Sequence, residues 1–444
     1  MRSPLQESGG RHRYVLAMLT AVYTLSLLDR GLMALLLQPI KEDLHLSDTQ
    51  LGFLTGLAFA LFYATVGVPV ARLSDRLNRV TITSIAIALW GVTVMACIGV
   101  RTFAQLVAAR VAAAVGEAGG MPPTYSLLGD YFPRPADRVR AMSIYLLSGP
   151  FAVLISFMLG GWINSQYGWR ATFFILGLPG LLMAPLVKMT VKDPRSSEMA
   201  EIHARVGVPR FGSVLRMLWT QRSTRHLSIV IILLFTLGFG LAPWYGAFLM
   251  RTHGMSSTQL GLWMGLILGT GGLVGIWGGG YLSARWLAND ERSQMRLSAL
   301  TLIALVPLSI VFLLAPQRHW ALVAFIPLVT LFNVFSAPAF SLLQRLVTDD
   351  MRATTLAVVM LLVNLIGMGV GPQLVGILSD AFTPRFGADS LRYAMLVTSW
   401  LALWAAYHFW RSADTVSQDL ARSSRTTYAR PVRSASTDPR AANP

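Results

Sequence analysis

The sequence predicts an all-α integral membrane protein with twelve transmembrane helices in two parallel six-helix repeats. The composition, a series of long apolar runs and an internal repeat carry this prediction. Of the 444 residues, 54% are hydrophobic and only 13% are charged, and the mean hydropathy is +0.54. Soluble globular domains carry about 25% charged residues. The chain is therefore expected to lie in a membrane.

The apolar runs are each about as long as a helix that crosses a bilayer. They fall at residues 14–37, 51–71, 80–99, 104–128, 140–163, 171–189, 227–249, 258–283, 297–315, 320–344, 354–378 and 392–410. The longest polar break separates six runs from the other six. We expect a cytoplasmic tail over 1–13, one bundle over 14–189, a cytoplasmic linker over 190–226, a second bundle over 227–410 and a disordered cytoplasmic tail over 411–444.

The basic residues indicate the orientation. Most of the 37 Lys and Arg residues fall in segments that share one side of the predicted membrane, together with both ends of the chain. Cytoplasmic segments carry such an excess, so both termini are predicted to be cytoplasmic. The net charge of +16 is then a topology signal and an attraction for anionic lipids, and it does not indicate a nucleic-acid partner. We expect a monomer in the cell membrane.

The two halves repeat one another. The segment SDTQLGFLTGLAFALFYATVGVPVARLSDR from Ser47 aligns without gaps on SSTQLGLWMGLILGTGGLVGIWGGGYLSAR from Ser256. The aligned identities include Thr49/Thr258, Gln50/Gln259, Gly52/Gly261, Gly56/Gly265, Leu73/Leu282 and Arg76/Arg285. Halves repeated in the same orientation are related by an axis along the membrane normal, and their substrate site lies between them near the midplane.

The fourth apolar run carries charges inside a helix that is otherwise apolar. Arg110 and Glu117 are seven residues apart, so both face one side of the helix at about 10 Å separation along its axis. A charge at bilayer depth costs about 2.5–3.5 kcal/mol, and such groups face a protein interior or a water-filled cavity. Glycines and prolines follow immediately and predict a bend. The pattern indicates a transport pathway.

The first run carries two further charges, Asp29 and Arg30, at a depth similar to that of Arg110 and Glu117. A carboxylate in a poorly solvated cavity beside an arginine can change protonation when the conformation changes, because desolvation and the cation act on it in opposite directions. A purely structural ion pair between the two helices is the alternative.

The second half has aromatic and amide side chains where the first half has charges. The repeat places Gly238 opposite Asp29, Phe325 opposite Arg110 and Phe332 opposite Glu117. A cavity with one charged and one aromatic wall suits an amphiphile, with its headgroup on Arg110. The candidate substrate-binding residues are Arg110, Glu117, Tyr125, Trp244, Tyr245, Phe332 and Asn333. For any single aromatic residue, packing in the core or against lipid is the alternative.

The loop after the second run, ARLSDRLNR, resembles the G-x-x-x-D-[RK]-x-G-x-[RK] motif of the major facilitator superfamily, with Ala71 and Asn78 in place of its glycines. In that superfamily the loop latches the inner gate of the outward-facing state. The resemblance assigns this role to Asp75, Arg76 and Arg79, with a partner near Arg352 at the start of the eleventh helix.

Shorter motifs, LLDR in the first run, RVAAAVGEAG in the fourth and GWR at 168–170, resemble the Spinster group of that superfamily. In that group the matching acid of the first helix and the Arg and Glu of the fourth are associated with proton coupling. The resemblance assigns this role to Asp29, Arg110 and Glu117, beside Arg30.

Enzyme chemistry has little support in the sequence. The chain has no G-x-x-x-x-G-K-[ST], no H-E-x-x-H and no G-x-S-x-G motif, and its one cysteine, Cys97, lies inside an apolar run. We expect no cofactor and no metal. The predicted function is secondary transport by alternating access, coupled to protons, of a lipid-like or amphipathic and anionic solute. Transport of a small polar anion, a sugar or a drug is one alternative, and a lipid sensor that does not transport is another.

Overall fold

The computed structural model describes residues 4–194, 211–286, 290–334, 336–347 and 351–428. Within these ranges the regular structure is helical throughout and no strand occurs. Nine helical stretches of the described chain are long and apolar enough to cross a membrane. The predicted all-helical membrane architecture is confirmed at this level.

The described part of the first half contains nine α-helices and one π-helical segment, besides a short 3-10 turn at Cys97–Gly99. They are α1 (Pro4–Leu44), α2 (Asp48–Thr55), α3 (Leu57–Arg76), α4 (Arg79–Ala96), α5 (Phe103–Ala118), α6 (Met121–Tyr131), α7 (Pro135–Leu146), α8 (Ser148–Leu154), a π-helical segment (Ile155–Leu159) and α9 (Gly160–Thr190). The predicted bend in the fourth run lies between α5 and α6, at Gly119 and Gly120.

The second half contains α10 (Phe211–Thr220), α11 (Arg222–His253), α12 (Ser257–Trp286), α13 (Glu291–Leu314), α14 (Arg318–Val334), α15 (Ser336–Arg345), α16 (Arg352–Leu362), a π-helical segment (Val363–Val370), α17 (Gly371–Phe386), α18 (Ser390–Ser399) and α19 (Leu401–Tyr428). The segment α10 lies within the predicted linker. Helix α19 continues beyond residue 410, where a disordered tail was predicted.

Two of the nine stretches are much longer than one crossing requires. The stretch Ala136–Thr190 has 55 residues and Thr354–Leu420 has 67, whereas about 20 residues span a bilayer. Gly168, with φ of 79°, interrupts the first, and Gly387, with φ of 54°, interrupts the second. L-residues rarely adopt such φ values, so glycine permits a reversal there. Each stretch contains two of the runs predicted from the sequence.

The internal repeat has a physical basis in the way two helices begin. Ser47 and Gln50 form a capping box at the start of α2, each side chain bonding the other residue's backbone N–H. Ser256 and Gln259 form the same pair of bonds at the start of α12, at 3.3 and 3.4 Å. A capping box satisfies two backbone donors that a helix start leaves open.

Repeated glycines lie at places where the two halves approach closely. A Cβ on Gly56 would lie 2.5 Å from the Gly369 carbonyl oxygen, and one on Gly52 would lie 2.7 Å from that of Pro372. A Cβ on Gly265, the repeat partner of Gly56, would lie 2.9 Å from the Met158 side chain. Both crossings lie beside π-helical segments, one in each half. Glycine is needed at these positions because only a bare backbone fits.

The contacts between the halves are unevenly distributed along the membrane normal. In the described residues they concentrate toward the end of the bundle that carries Asp48 and Arg251, where α2 packs on α17 and α12 packs on α9. Toward the other end, which carries Asp130 and Arg345, contacts between the halves are sparse. We call these the closed end and the open end.

Candidate functional site

The charged residues of α1 and α5 form two adjacent ion pairs between these helices. An Arg110 Nη1 donates to Asp29 Oδ2, and Arg30 Nη2 lies 2.5 Å from Glu117 Oε1. We call these four residues the buried tetrad. The sequence placed all four in one site, and the structure brings their side chains into contact. Arg30 is the partner of Glu117, a pairing that the sequence did not indicate.

The two ion pairs of the tetrad differ in their exposure to solvent. The Asp29 and Arg110 side chains are 2% and 5% exposed, whereas Glu117 is 3% exposed and Arg30 is 30% exposed. Each pair is electrically neutral, which offsets the cost of removing its charges from water. Arg30 is therefore the most exposed member of the tetrad.

Two aromatic residues of α3 complete the site. The Arg110 and Arg30 guanidinium carbons lie 5.0 and 5.2 Å from the centre of the Phe59 ring, and Arg30 is 5.3 Å from that of Tyr63. A cation within about 6 Å of a ring face is attracted to it. The sequence analysis missed both rings, although their spacing of four residues puts them on one face of a helix.

Some polar atoms of the tetrad have no hydrogen-bond partner among the described residues. These buried atoms are Glu117 Oε2, Arg30 Nε and Arg110 Nε. Buried polar atoms are normally paired, so an uncommitted carboxylate oxygen beside an uncommitted guanidinium N–H is unusual. The tetrad therefore retains capacity to bind a proton or an anionic group.

A largely apolar cavity of about 430 Å³ lies within the second half of the chain. It is lined by α11, α12, α13, α14, α18 and α19, with Val153 contributed by the first half. Three of the predicted substrate-binding residues, Tyr245, Phe332 and Asn333, line it. Two of the aromatic residues predicted for this half, Tyr245 and Phe332, thus border a defined space.

The other predicted binding residues lie elsewhere. Trp244 is fully buried and donates a hydrogen bond of 3.2 Å to the Pro372 carbonyl, so it joins α11 to α17 and does not line the cavity. Tyr125 packs edge-on against Tyr145 at 5.4 Å in the first half. Neighbouring residues on a helix point in different directions, which explains why Tyr245 lines the cavity and Trp244 does not.

Two aromatic side chains, Phe239 and Phe59, lie between the cavity and the buried tetrad. Phe239 of α11 lines the cavity and packs against the cluster that contains Phe59 and Ala114. Phe59 in turn lies beneath both arginines of the tetrad. The charged site and the apolar cavity are therefore separated by the Phe59 and Phe239 side chains.

The predicted inner gate is only partly described. The side chains of Asp75 and Arg352 lie outside the described part of the structure, so their latch role stays a prediction. Arg76 is exposed at the end of α3. Arg79 is buried, and its guanidinium lies 2.5 Å from Asp193 and 2.6 Å from Asp130.

Arg79 also donates a hydrogen bond of 2.7 Å to Ser126, so its described partners lie on α6 and just after α9. In this structure Arg79 therefore holds the start of α4 to α6 and to the segment that follows α9. The predicted latch belongs to the outward-facing state, so the gate role of Arg79 stays a prediction.

The described residues place no group of three or more His, Cys, Asp or Glu side chains where they could hold a metal ion. Cys97 is buried.

Comparisons with known proteins give a consistent picture. Residues 19–372 match the model of the Major Facilitator Superfamily. The chain is 31% identical to an MFS-type efflux pump of Mycolicibacterium smegmatis, over 92% of this chain and 94% of that protein. It is 24% identical to protein spinster homolog 1 of Xenopus tropicalis, over 92% of this chain and 82% of that protein.

Among solved structures, the chain resembles a bacterial homolog of the human lysosomal transporter Spinster. The inward-facing, unoccupied crystal structure of that protein superposes with a TM-score of 0.81 at 27% identity, covering 92% of this chain and 98% of that one. The inward-facing, occupied structure superposes with a TM-score of 0.79 at the same identity and coverage.

Proposed function

Because the chain belongs to the major facilitator superfamily and is a membrane transporter and not an enzyme, we propose that it is a proton-coupled carrier of anionic amphiphiles. One observation carries the proposal: a buried, charged site adjoins a separate apolar cavity through two aromatic rings. A solute with a charged head and an apolar body would satisfy both compartments at once.

The apolar body is assigned to the cavity in the second half. Removing apolar surface from water is worth about 25 cal/mol per Å², so an alkyl or aromatic body gains affinity there in proportion to its size. Ser309, Asn333 and Ser399 are among the few polar residues of the lining, and such groups fix orientation more than affinity.

The charged head is assigned to the arginines of the tetrad. An anion that enters from the open end reaches Arg30, the most exposed of the four charges. Binding there competes with Glu117 for the guanidinium, and a carboxylate deprived of its cation in a site with little water takes up a proton more readily. Substrate binding and protonation are linked in this way.

The membrane arrangement follows the same reasoning. We propose twelve spans, both termini in the cytoplasm, and a monomer in the cell membrane whose open end faces the cytoplasm. Arg134, Arg138 and Arg140 at the start of α7 support this orientation, because an excess of basic residues is typical of cytoplasmic segments.

Reconstitution tests the proposal directly. Purified protein in liposomes is expected to accumulate a lysolipid, a sphingoid phosphate or a hydrophobic organic anion when a pH gradient is applied, and much less without one. A protonophore should remove the difference. Equal accumulation with and without the gradient, by protein that exchanges substrate normally, would rule out proton coupling. Transport of only small polar anions would rule out the amphiphile.

A substitution inside the cavity tests where the apolar body binds. Ala242 lines the cavity, and Ala242→Phe should fill part of it. Long-chain substrates are then expected to lose at least about tenfold in apparent affinity, or about 1.4 kcal/mol, while short-chain analogues lose less. Competition assays over a chain-length series measure this. Val311→Phe, at an exposed position of α13, is the matched control. Equal loss across the series would place the apolar body elsewhere.

A further inference from the structure

A second cluster of charges lies at the closed end, far along α1 from the tetrad. Its centre is Asp48, the first residue of α2, whose side chain is 2% exposed. Arg251 of α11 holds both carboxylate oxygens in a fork, with both N–O distances 2.7 Å. Lys41 Nζ and the Ser379 hydroxyl each donate to the same carboxylate at 2.6 Å. Such a bidentate, charge-assisted contact is among the strongest side-chain interactions.

A second carboxylate also joins the halves, but it belongs to the second half and binds the first. Asp380 of α17 accepts hydrogen bonds from the backbone N–H groups of Asp48 at 3.0 Å and Thr49 at 2.7 Å. These are free donors at the start of α2, where a negative charge is favoured. The carboxylate of one half therefore caps a helix of the other.

The charges of this cluster balance across the interface. Each half supplies one acid and one base: Asp48 and Lys41 come from the first half, and Asp380 and Arg251 come from the second. The halves cannot separate at this end without pulling Asp48 from Arg251 and Asp380 from α2. We call these four residues the closed-end lock.

We propose that the closed-end lock is the gate on this side of the transporter, and that its strength sets the balance between the two facing states. This inference rests on the proposed alternating access but not on proton coupling or on the amphiphile. Opening exposes Asp48 and Arg251 to water, which replaces part of the lost attraction. The gate can therefore break and reform in each cycle. Packed apolar side chains would gain no such favourable hydration when they separate.

Helix α1 connects the lock to the tetrad. Two residues of α1 contact the lock. Gln38 accepts a hydrogen bond from Arg251 Nε, and Lys41 donates one to Asp48. They lie about 13 and 18 Å beyond Asp29 along the axis, at 1.5 Å per residue. If α1 shifts when Asp29 and Arg30 change partners, the shift thus reaches Arg251 through Gln38 and Asp48 through Lys41.

Asp48→Asn and Arg251→Gln test the proposal by the distances between the halves. Spin labels at Tyr167 and Ala388 report on the closed end, and labels at Val139 and Ser341 report on the open end, in a Cys97→Ser background. All four positions are exposed. Double electron–electron resonance on the full chain in lipid nanodiscs, without substrate, measures both distributions.

Each variant is expected to raise the ratio of separated to joined closed ends at least about tenfold, equivalent to about 1.4 kcal/mol. The open-end distance should shorten in the same molecules. The double variant should add little to either single variant, because both remove one interaction. Asp380→Asn should also lengthen the closed-end distance and shorten the open-end distance. It replaces Asp48→Asn in the test if that variant fails to fold.

The control is Asp43→Asn. Asp43 pairs with Arg170 at 2.8 Å at the same end of the bundle, but both residues belong to the first half. This variant should leave both distributions as in the wild type. Unchanged distributions in the lock variants would overturn the proposal. Separation of the closed end without shortening at the open end would also overturn it, because that is general loosening and not a change of state.

Discussion

Glu117→Gln is expected to abolish accumulation driven by a pH gradient while substrate exchange continues. Glutamine imitates the protonated carboxylate and cannot release its proton, so the variant stays in one protonation state through the cycle. Arg30 loses its partner, but it is 30% exposed, so water can solvate the freed cation and the protein should fold. Gradient-driven accumulation in liposomes should fall at least about tenfold, or about 1.4 kcal/mol in driving force.

Asp29→Asn is the companion variant. It leaves Arg110 unpaired in a site where the arginine is 5% exposed, and breaking such a buried pair costs about 3–5 kcal/mol. We therefore expect lost coupling together with lower stability. Asp414→Asn, at a carboxylate that is 42% exposed, is the control. If wild type, Glu117→Gln and Asp29→Asn accumulate substrate equally under a gradient, the tetrad is structural and the coupling model fails.

Arg110→Ala is expected to abolish both accumulation and exchange. It removes a cation that binds Asp29 and lies over Phe59, and it leaves a buried carboxylate with no counter-charge. The same cost of about 3–5 kcal/mol applies, so loss of folding must be separated from loss of function.

The double variant Arg110→Ala with Asp29→Asn makes that separation. Its site carries no unpaired charge, so thermal stability should recover most of the loss caused by Arg110→Ala alone. Transport should not recover, since the headgroup site has lost the Arg110 guanidinium and Arg30 remains committed to Glu117. Recovery of both stability and transport would show that Arg110 serves only to balance Asp29.

The tetrad was predictable because charges inside a membrane helix need partners. Asp29, Arg110 and Glu117 interrupt runs that are otherwise apolar, so the sequence alone marks them as residues that face a protein interior, and the structure shows them buried. The exact pairing was not predictable, because a flexible arginine such as Arg30 can reach either acid. Phe59 and Tyr63 were missed since aromatic residues are common on every face of a membrane helix.

The closed-end lock escaped prediction for another reason. Asp48, Arg251 and Asp380 fall near helix ends, where charges are usually solvated and carry no signal. Only the packing of α2 on α17 reveals that Asp48 is buried. Arg79 shows that a motif does not reveal local pairing: the motif indicates its charge, and the contacts with Asp130 and Asp193 appear only in the structure.

The pairing of α1 with α5 also bears on how the protein is made. Asp29 and Arg30 are adjacent in sequence, so their side chains point about 100° apart on α1 and do not pair with each other. Asp29 is neutralised by Arg110, and Arg30 by Glu117. Helix α1 leaves the ribosome before α2, α3, α4 and α5, and it must wait in the translocon or the lipid with both charges unpartnered.

Each such charge costs about 2.5–3.5 kcal/mol at the bilayer centre. Nascent chains that end before Phe103 should therefore hold α1 weakly, and chains that extend past Tyr131 should hold it firmly, as measured by alkaline extraction of arrested chains. Equal extraction of the two lengths would contradict this. The ion pairs that join α1 to α5 thus impose an order on biogenesis, in which the first bundle is anchored only once its fifth helical segment has arrived.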